Sequence, residues 1–194
     1  MADNGTLPVN RWVILCSGFL QDEGQLTGMV ALWRKIAVAC HDEQTVVELR
    51  PWHTSKQSWG ELAEKIWRFR PSGQRPRVVI VTYSWGVNGG VTLARELLKR
   101  GITVNNFVSS DGVYRHGYWL GQWRALVPWS RIKVPRNVQV LDCYRQTNNL
   151  PKGHLFVAES DYSTVKDCVV IDRTHQYMDD AEEFHAKAVR TSVL

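Results

Sequence analysis

The chain has 194 residues, 44% of them apolar and 22% charged, with a formal net charge of +5. That length suits one domain with a sizeable core, and the balance is that of a soluble globular protein; no apolar run approaches the ~20 residues that cross a bilayer. The basic residues are spread along the chain without a nucleic-acid-binding motif, so the excess charge reads as solubilising surface and no nucleic-acid partner is expected.

Strand-like and helix-like runs alternate from the start. "RWVILCSGF" (11–19) is a buried-strand pattern ending near Gly18. In "GQLTGMVALWRKIAVAC" (24–40), Leu26, Met29, Val30, Trp33, Ile36 and Ala37 recur at helical spacing. "TVVEL" (45–49) is a short strand closed by Pro51. "SWGELAEKIWRFR" (58–70) pairs Ser58 with Glu61 as a capping box opening a helix. "VVIVTY" (78–83) is a third strand, and "GVNGGVTLARELLKR" (86–100) a helix closed by Gly101. "TVNNFVSSD" (103–111) and "NVQVLDCYR" (137–145) are strands, and "CVVID" (168–172) is the last one. "DDAEEFHAKAVRT" (179–191) is a closing helix whose acidic start suits the helix dipole.

Strands separated by helices predict βαβ units and a mainly parallel sheet with helices on both faces. The expectation is one domain over residues 1–194, a three-layer α/β/α sandwich with about six strands. An aromatic, basic insert at about 112–131 interrupts it. That insert reads equally as a lid, with Tyr114, Trp119 and Trp123 walling an apolar pocket beside Tyr83, or as a packed second core.

The four cysteines, Cys16, Cys40, Cys143 and Cys168, form no CxxC pair, so no metal site is predicted. All four are expected as reduced thiols. Together with a polar start, "MADNGTLPVNR", that predicts a cytoplasmic protein without membrane insertion.

The chemistry concentrates where the third strand meets its helix. Thr82-Tyr83-Ser84-Trp85-Gly86 matches the G-x-S-x-G nucleophile elbow except that threonine replaces the first glycine. A serine nucleophile needs a base, itself oriented by an acid, in the chain order Ser, Asp, His for this fold. Asp111 ends the following strand and His175 follows the last one, so both fall at the carboxyl edge that carries Ser84. The expected oxyanion donors are the backbone N–H groups of Trp85 and of Phe19, in the turn after the first strand.

On these residues, the G-F turn, the Y-S-W-G elbow, the S-D and the late histidine, the chain resembles the α/β-hydrolase superfamily over about residues 11–191. Within it the sequence looks most like small bacterial and phage lipase- or thioesterase-like proteins. An acid one strand earlier than usual is similar to the arrangement in pancreatic-type lipases. The resemblance implies a minimal α/β-hydrolase fold without the strands that commonly precede the first one here. It also implies serine-dependent hydrolysis of a small-molecule acyl ester or thioester, with no cofactor.

Two rivals stand beside the favoured residues: Asp142, in "VLDCYR", for the acid, and His154, in "NNLPKGH", for the base. Two other functions fit the same residues, a non-catalytic binding module and an acyltransferase or amidase.

Overall fold

A computed structural model describes residues 8–21, 24–113 and 130–194. Its elements in chain order are β1 (Arg11–Cys16), α1 (Gly28–Ala39), β2 (Thr45–Arg50), α2 (Lys56–Arg68), β3 (Arg77–Tyr83), α3 (Gly86–Lys99), β4 (Val104–Ser110), β5 (Arg131–Val134), β6 (Val138–Arg145), β7 (Leu155–Ala158), β8 (Thr164–Val165), β9 (Val169–Val170), a 3-10 helix (His175–Asp180) and α4 (Glu182–Val193).

After their leading arginines β1 is apolar throughout and β3 is apolar but for Thr82, and every residue after the first is buried in each. Strands covered on both faces need that pattern, because neither side of the pleat meets water. Alternation along them separates two cores. Trp12, Ile14, Val78 and Ile80 pack with Trp59, Leu62 and Ile66 of α2 and Val91, Leu93 and Leu97 of α3. Val13, Leu15, Val79 and Val81 pack with Met29, Leu32 and Ile36 of α1 and Phe184 and Ala188 of α4. The architecture is therefore the expected α/β one, a sheet between two helical layers.

The main sheet runs β2-β1-β3-β4-β6-β8, with β9 also pairing β6, and every pair is parallel. The chain steps outward from β1 to β2, then crosses back over β1 to β3 and continues the other way. The order thus reverses between β1 and β3, and in open parallel sheets the crevice beyond such a reversal is where ligands bind. The turns after β1 and β3, with Phe19 and Ser84, flank it.

Among the described residues the sheet has seven strands where about six were expected, and β5 pairs β7 in a separate parallel ribbon. β5, β7, β8 and β9 have two to four residues each, too few to establish a period. Of the stretch 168–172 only Val169–Val170 is strand, and both valines are exposed.

Helix starts also moved. α2 begins two residues early, with its cap three residues upstream of the expected Ser58, because Ser55, extended at φ −69° and ψ 157°, accepts from the Ser58 N–H at 3.1 Å. Glu61 accepts from Gln57 Nε2 instead of closing a box with Ser58. The closing helix is two elements, because Ala181 is extended at φ −64° and ψ 126° between the 3-10 helix and α4.

Cysteine usage needs correction as well. Cys143 and Cys168 form a disulfide, with Cα atoms 4.6 Å apart. β6 pairs β9 with Tyr144 opposite Val169, so the register sets the two preceding cysteines side by side. Cys16 and Cys40 are the free, buried cysteines. The reduced-thiol argument for a reducing compartment therefore fails for this pair. Among the described residues no helix is long and apolar enough to cross a membrane.

Candidate active site

Ser84 follows β3 directly and adopts φ +50°, in the left-handed region. A non-glycine residue there costs of order 1–3 kcal/mol and persists only where its surroundings fix it. Here the Ser84 N–H donates to the Ser110 carbonyl at 3.0 Å, and its own carbonyl accepts from the N–H groups of Val87 and Val113 at 3.3 and 3.1 Å. Gly86 permits the sharp turn into α3. A Cβ there would run into the backbone carbonyl oxygens of Cys16 and Ser17, which belong to β1 and its following turn.

Ser84 Oγ lies 2.8 Å from His175 Nε2, and His175 Nδ1 lies 2.5 Å from Asp111 Oδ2. The three residues from separate loops thus form one hydrogen-bonded line. Asp111 is wholly buried and also has a positive φ, +44°, and its N–H donates to the Tyr144 carbonyl at 2.7 Å. A buried carboxylate of this kind is sustained by donors. Besides His175 they are the Gln146 backbone N–H to Oδ1 at 3.0 Å and Gln146 Nε2 to Oδ2 at 3.1 Å.

His175 opens the 3-10 helix. Its N–H donates to Asn149 Oδ1 at 2.7 Å and its carbonyl accepts from the Tyr83 hydroxyl at 2.7 Å. Tyr83, expected to contact substrate, is only 4% exposed, and its ring stacks on the imidazole with centroids 5.5 Å apart. Its hydroxyl is committed to the chain that carries His175, so it braces the site from beneath. Burial, reinforced by the Asp179 and Asp111 charges, pushes its phenol well above the usual range.

Phe19 lies in the turn after β1. There Ser17 Oγ donates to the Gln21 carbonyl at 2.6 Å, and the Gly18 N–H donates to Gln21 Oε1 at 3.1 Å. Gln21 Nε2 in turn donates to Asp179 Oδ2 at 2.7 Å, tying this turn to the 3-10 helix. Asp179 is buried, and that burial raises its carboxyl above the ordinary range. The Phe19 ring meets Trp85 at 4.5 Å and Trp52 at 4.8 Å, so the two expected oxyanion residues are in contact, and Trp85 directly follows Ser84 in the chain.

The rivals lie elsewhere. Asp142 is inside β6 and bound to Lys166 at 2.8 Å and Lys187 at 3.2 Å. His154 is 2% exposed, with its N–H on the Gly112 carbonyl at 2.8 Å, while the imidazole at Ser84 is that of His175. Tyr114, Trp119 and Trp123, the expected lid contacts, lie outside the described residues. Among the described residues no group of three or more His, Cys, Asp or Glu could hold a metal ion.

Sequence reasoning missed Gln146 and Asn149. Both sit in "QTNNLPKGH", which reads only as a polar loop, and no periodicity or motif marks them.

No family model matches the chain, and no curated protein matches its sequence. Among solved structures, it is similar to YbtT, a type II thioesterase from the yersiniabactin NRPS/PKS biosynthetic pathway, at 14% identity and a TM-score of 0.49, covering 99% of this chain and 95% of that one.

Proposed function

We propose that the protein is a serine hydrolase that cleaves carboxylic esters or thioesters of small molecules through an acyl-enzyme. The observation that carries this reading is the line from Ser84 Oγ through His175 to Asp111, with contacts of 2.8 and 2.5 Å. In it His175 carries its proton on Nδ1, donated to Asp111, which leaves Nε2 to accept from the Ser84 hydroxyl.

As Ser84 Oγ attacks the acyl carbon, its proton passes to Nε2, and Asp111 stabilises the resulting imidazolium. Charge develops on the former carbonyl oxygen. The N–H groups of Phe19 and Trp85 are the donors assigned to it, each worth roughly 2.7–4 kcal/mol in the transition state. The tetrahedral intermediate then collapses. His175 returns the proton to the departing alcohol or thiol, and Ser84 is left acylated. Water repeats the sequence, giving up a proton to Nε2 and releasing the carboxylic acid. Tyr114, Trp119 and Trp123 are the proposed contacts for the acyl group.

Hydrolysis of p-nitrophenyl esters and of acyl-N-acetylcysteamine thioesters, over a range of chain lengths, tests the reading. Wild type should turn over at least one series. Ser84→Ala and His175→Ala should each lower kcat by roughly 10⁴–10⁶-fold, and Asp111→Asn by about 10⁴-fold. Activity retained in Ser84→Ala would remove the serine from the mechanism.

A further inference from the structure

We propose that Gln146 and Asn149 are positioning residues that hold the acid and the base of the site in one fixed relation. The inference rests on the hydrolase reading above and goes beyond it in assigning a role to the loop that follows β6.

Gln146 directly follows β6 and is wholly buried. Its amide orientation is fixed on both sides. Oε1 accepts from the N–H groups of Asn148 at 2.6 Å and Asn149 at 3.0 Å. Nε2 faces the carbonyls of Asn149 at 3.0 Å and Pro151 at 2.9 Å, as well as Asp111 Oδ2 at 3.1 Å. Exchanging the oxygen and nitrogen would set donors against donors and acceptors against acceptors, so only one orientation fits.

The consequence falls on Asp111. The torsion that turns a carboxyl group is broad and roughly two-fold, so packing alone defines its plane poorly. Gln146 supplies one donor to each carboxylate oxygen, from its backbone and from its side chain. The side-chain donor meets Oδ2, the same oxygen that receives His175 Nδ1. The plane of the carboxylate is thereby set to face the imidazole. Asn149 completes the bracket from the other side, because its Oδ1 receives the His175 N–H at 2.7 Å and its Nδ2 donates to Gln176 Oε1 at 3.0 Å. One nine-residue loop, between β6 and β7, therefore holds both members of a pair whose elements lie far apart in the chain.

Gln146→Met keeps the side chain's length and removes its donor and acceptor. Small misplacements of catalytic groups cost up to about 10²-fold, so its kcat on the acyl ester should fall about 10- to 100-fold, with KM within about twofold. The far-downfield proton resonance of the His175 Nδ1–H should broaden or be lost. That resonance is read without substrate, so it tests the bracket even if the chain hydrolyses no ester. Failure of the hydrolase reading would show instead as a wild type that neither turns over nor labels at Ser84. A Gln146→Met protein with the wild-type resonance and kcat within twofold would overturn the proposal. If that variant does not fold, Asn149→Ala decides by the same two readouts. The expected result is a broadened resonance and about tenfold lower kcat, both restored in Asn149→Asp, which keeps an Oδ acceptor. Wild-type values in Asn149→Ala would overturn it.

Discussion

The Thr82 methyl group occupies the space that a side chain on Gly90 would need: a Cβ built there would lie 2.6 Å from Thr82 Cγ2. The elbow's missing first glycine is thus offset one turn into α3, while the Thr82 hydroxyl donates to Ser109 Oγ at 3.0 Å. Gly90→Ala should cost about 1–3 kcal/mol by overpacking. Adding Thr82→Ala should recover part of that loss, with a coupling of about 0.5 kcal/mol or more. Recovery should be incomplete, because Phe107 Cζ and Ile80 Cγ2 would lie 2.9 and 3.0 Å from the same Cβ. Urea unfolding of the two single variants and the double variant measures it, and strict additivity would separate the two positions.

Gly86 allows less relief, since its neighbours are carbonyl oxygens of the chain at Cys16 and Ser17. Neither can rotate away as a side chain can. Gly86→Ala should displace the elbow and lower kcat about 10²-fold or more in whatever protein remains folded. Circular dichroism and ester turnover on the same sample give both values.

Stability should depend on pH through Asp179. Burial raises its carboxyl, and the Gln21 amide offsets this only in part. The folded state therefore keeps that proton to higher pH than the unfolded chain, whose value is about 3.9. Its contribution is full below the unfolded value and is lost as pH rises through the folded one. Asp179→Asn, which does not titrate, should flatten the fall of Tm between about pH 4 and neutrality. Parallel melting curves across that range would expose the difference.

The Cys143–Cys168 bond spans 25 residues, which on loop-entropy grounds is worth on the order of 3 kcal/mol. Reduction, or Cys168→Ser, should lower Tm by about 6–12 °C for a chain of this size. Thiol titration of the unfolded, unreduced protein should find two free thiols, those of Cys16 and Cys40. Four would contradict the pairing.

The sequence carried the site's residues further than its scaffold. Ser84, Asp111 and His175 could be placed because each ends or follows a strand, and parallel strands carry their ends to one edge. β1 and β3 were legible because both faces are buried, which leaves a nearly unbroken apolar run. What escaped depends on register or on a few residues. The cysteine pair requires knowing that Tyr144 lies opposite Val169. Ser55 and Ser58 stand one helical turn apart, and backbone conformation decided which of them caps α2. Gln146 had no sequence signature, because a buried amide in a polar loop looks like an exposed one. Tyr83 looked like a pocket wall from its position next to Ser84, but alternation along β3 turns its ring under the imidazole.

Fluorophosphonate labelling with mass-spectrometric mapping separates a nucleophilic Ser84 from an inert one. The expected result is one adduct per chain, on the peptide containing Ser84, and none in Ser84→Ala. A folded wild-type protein that stays unlabelled, or equal labelling of the Ser84→Ala variant, would contradict it.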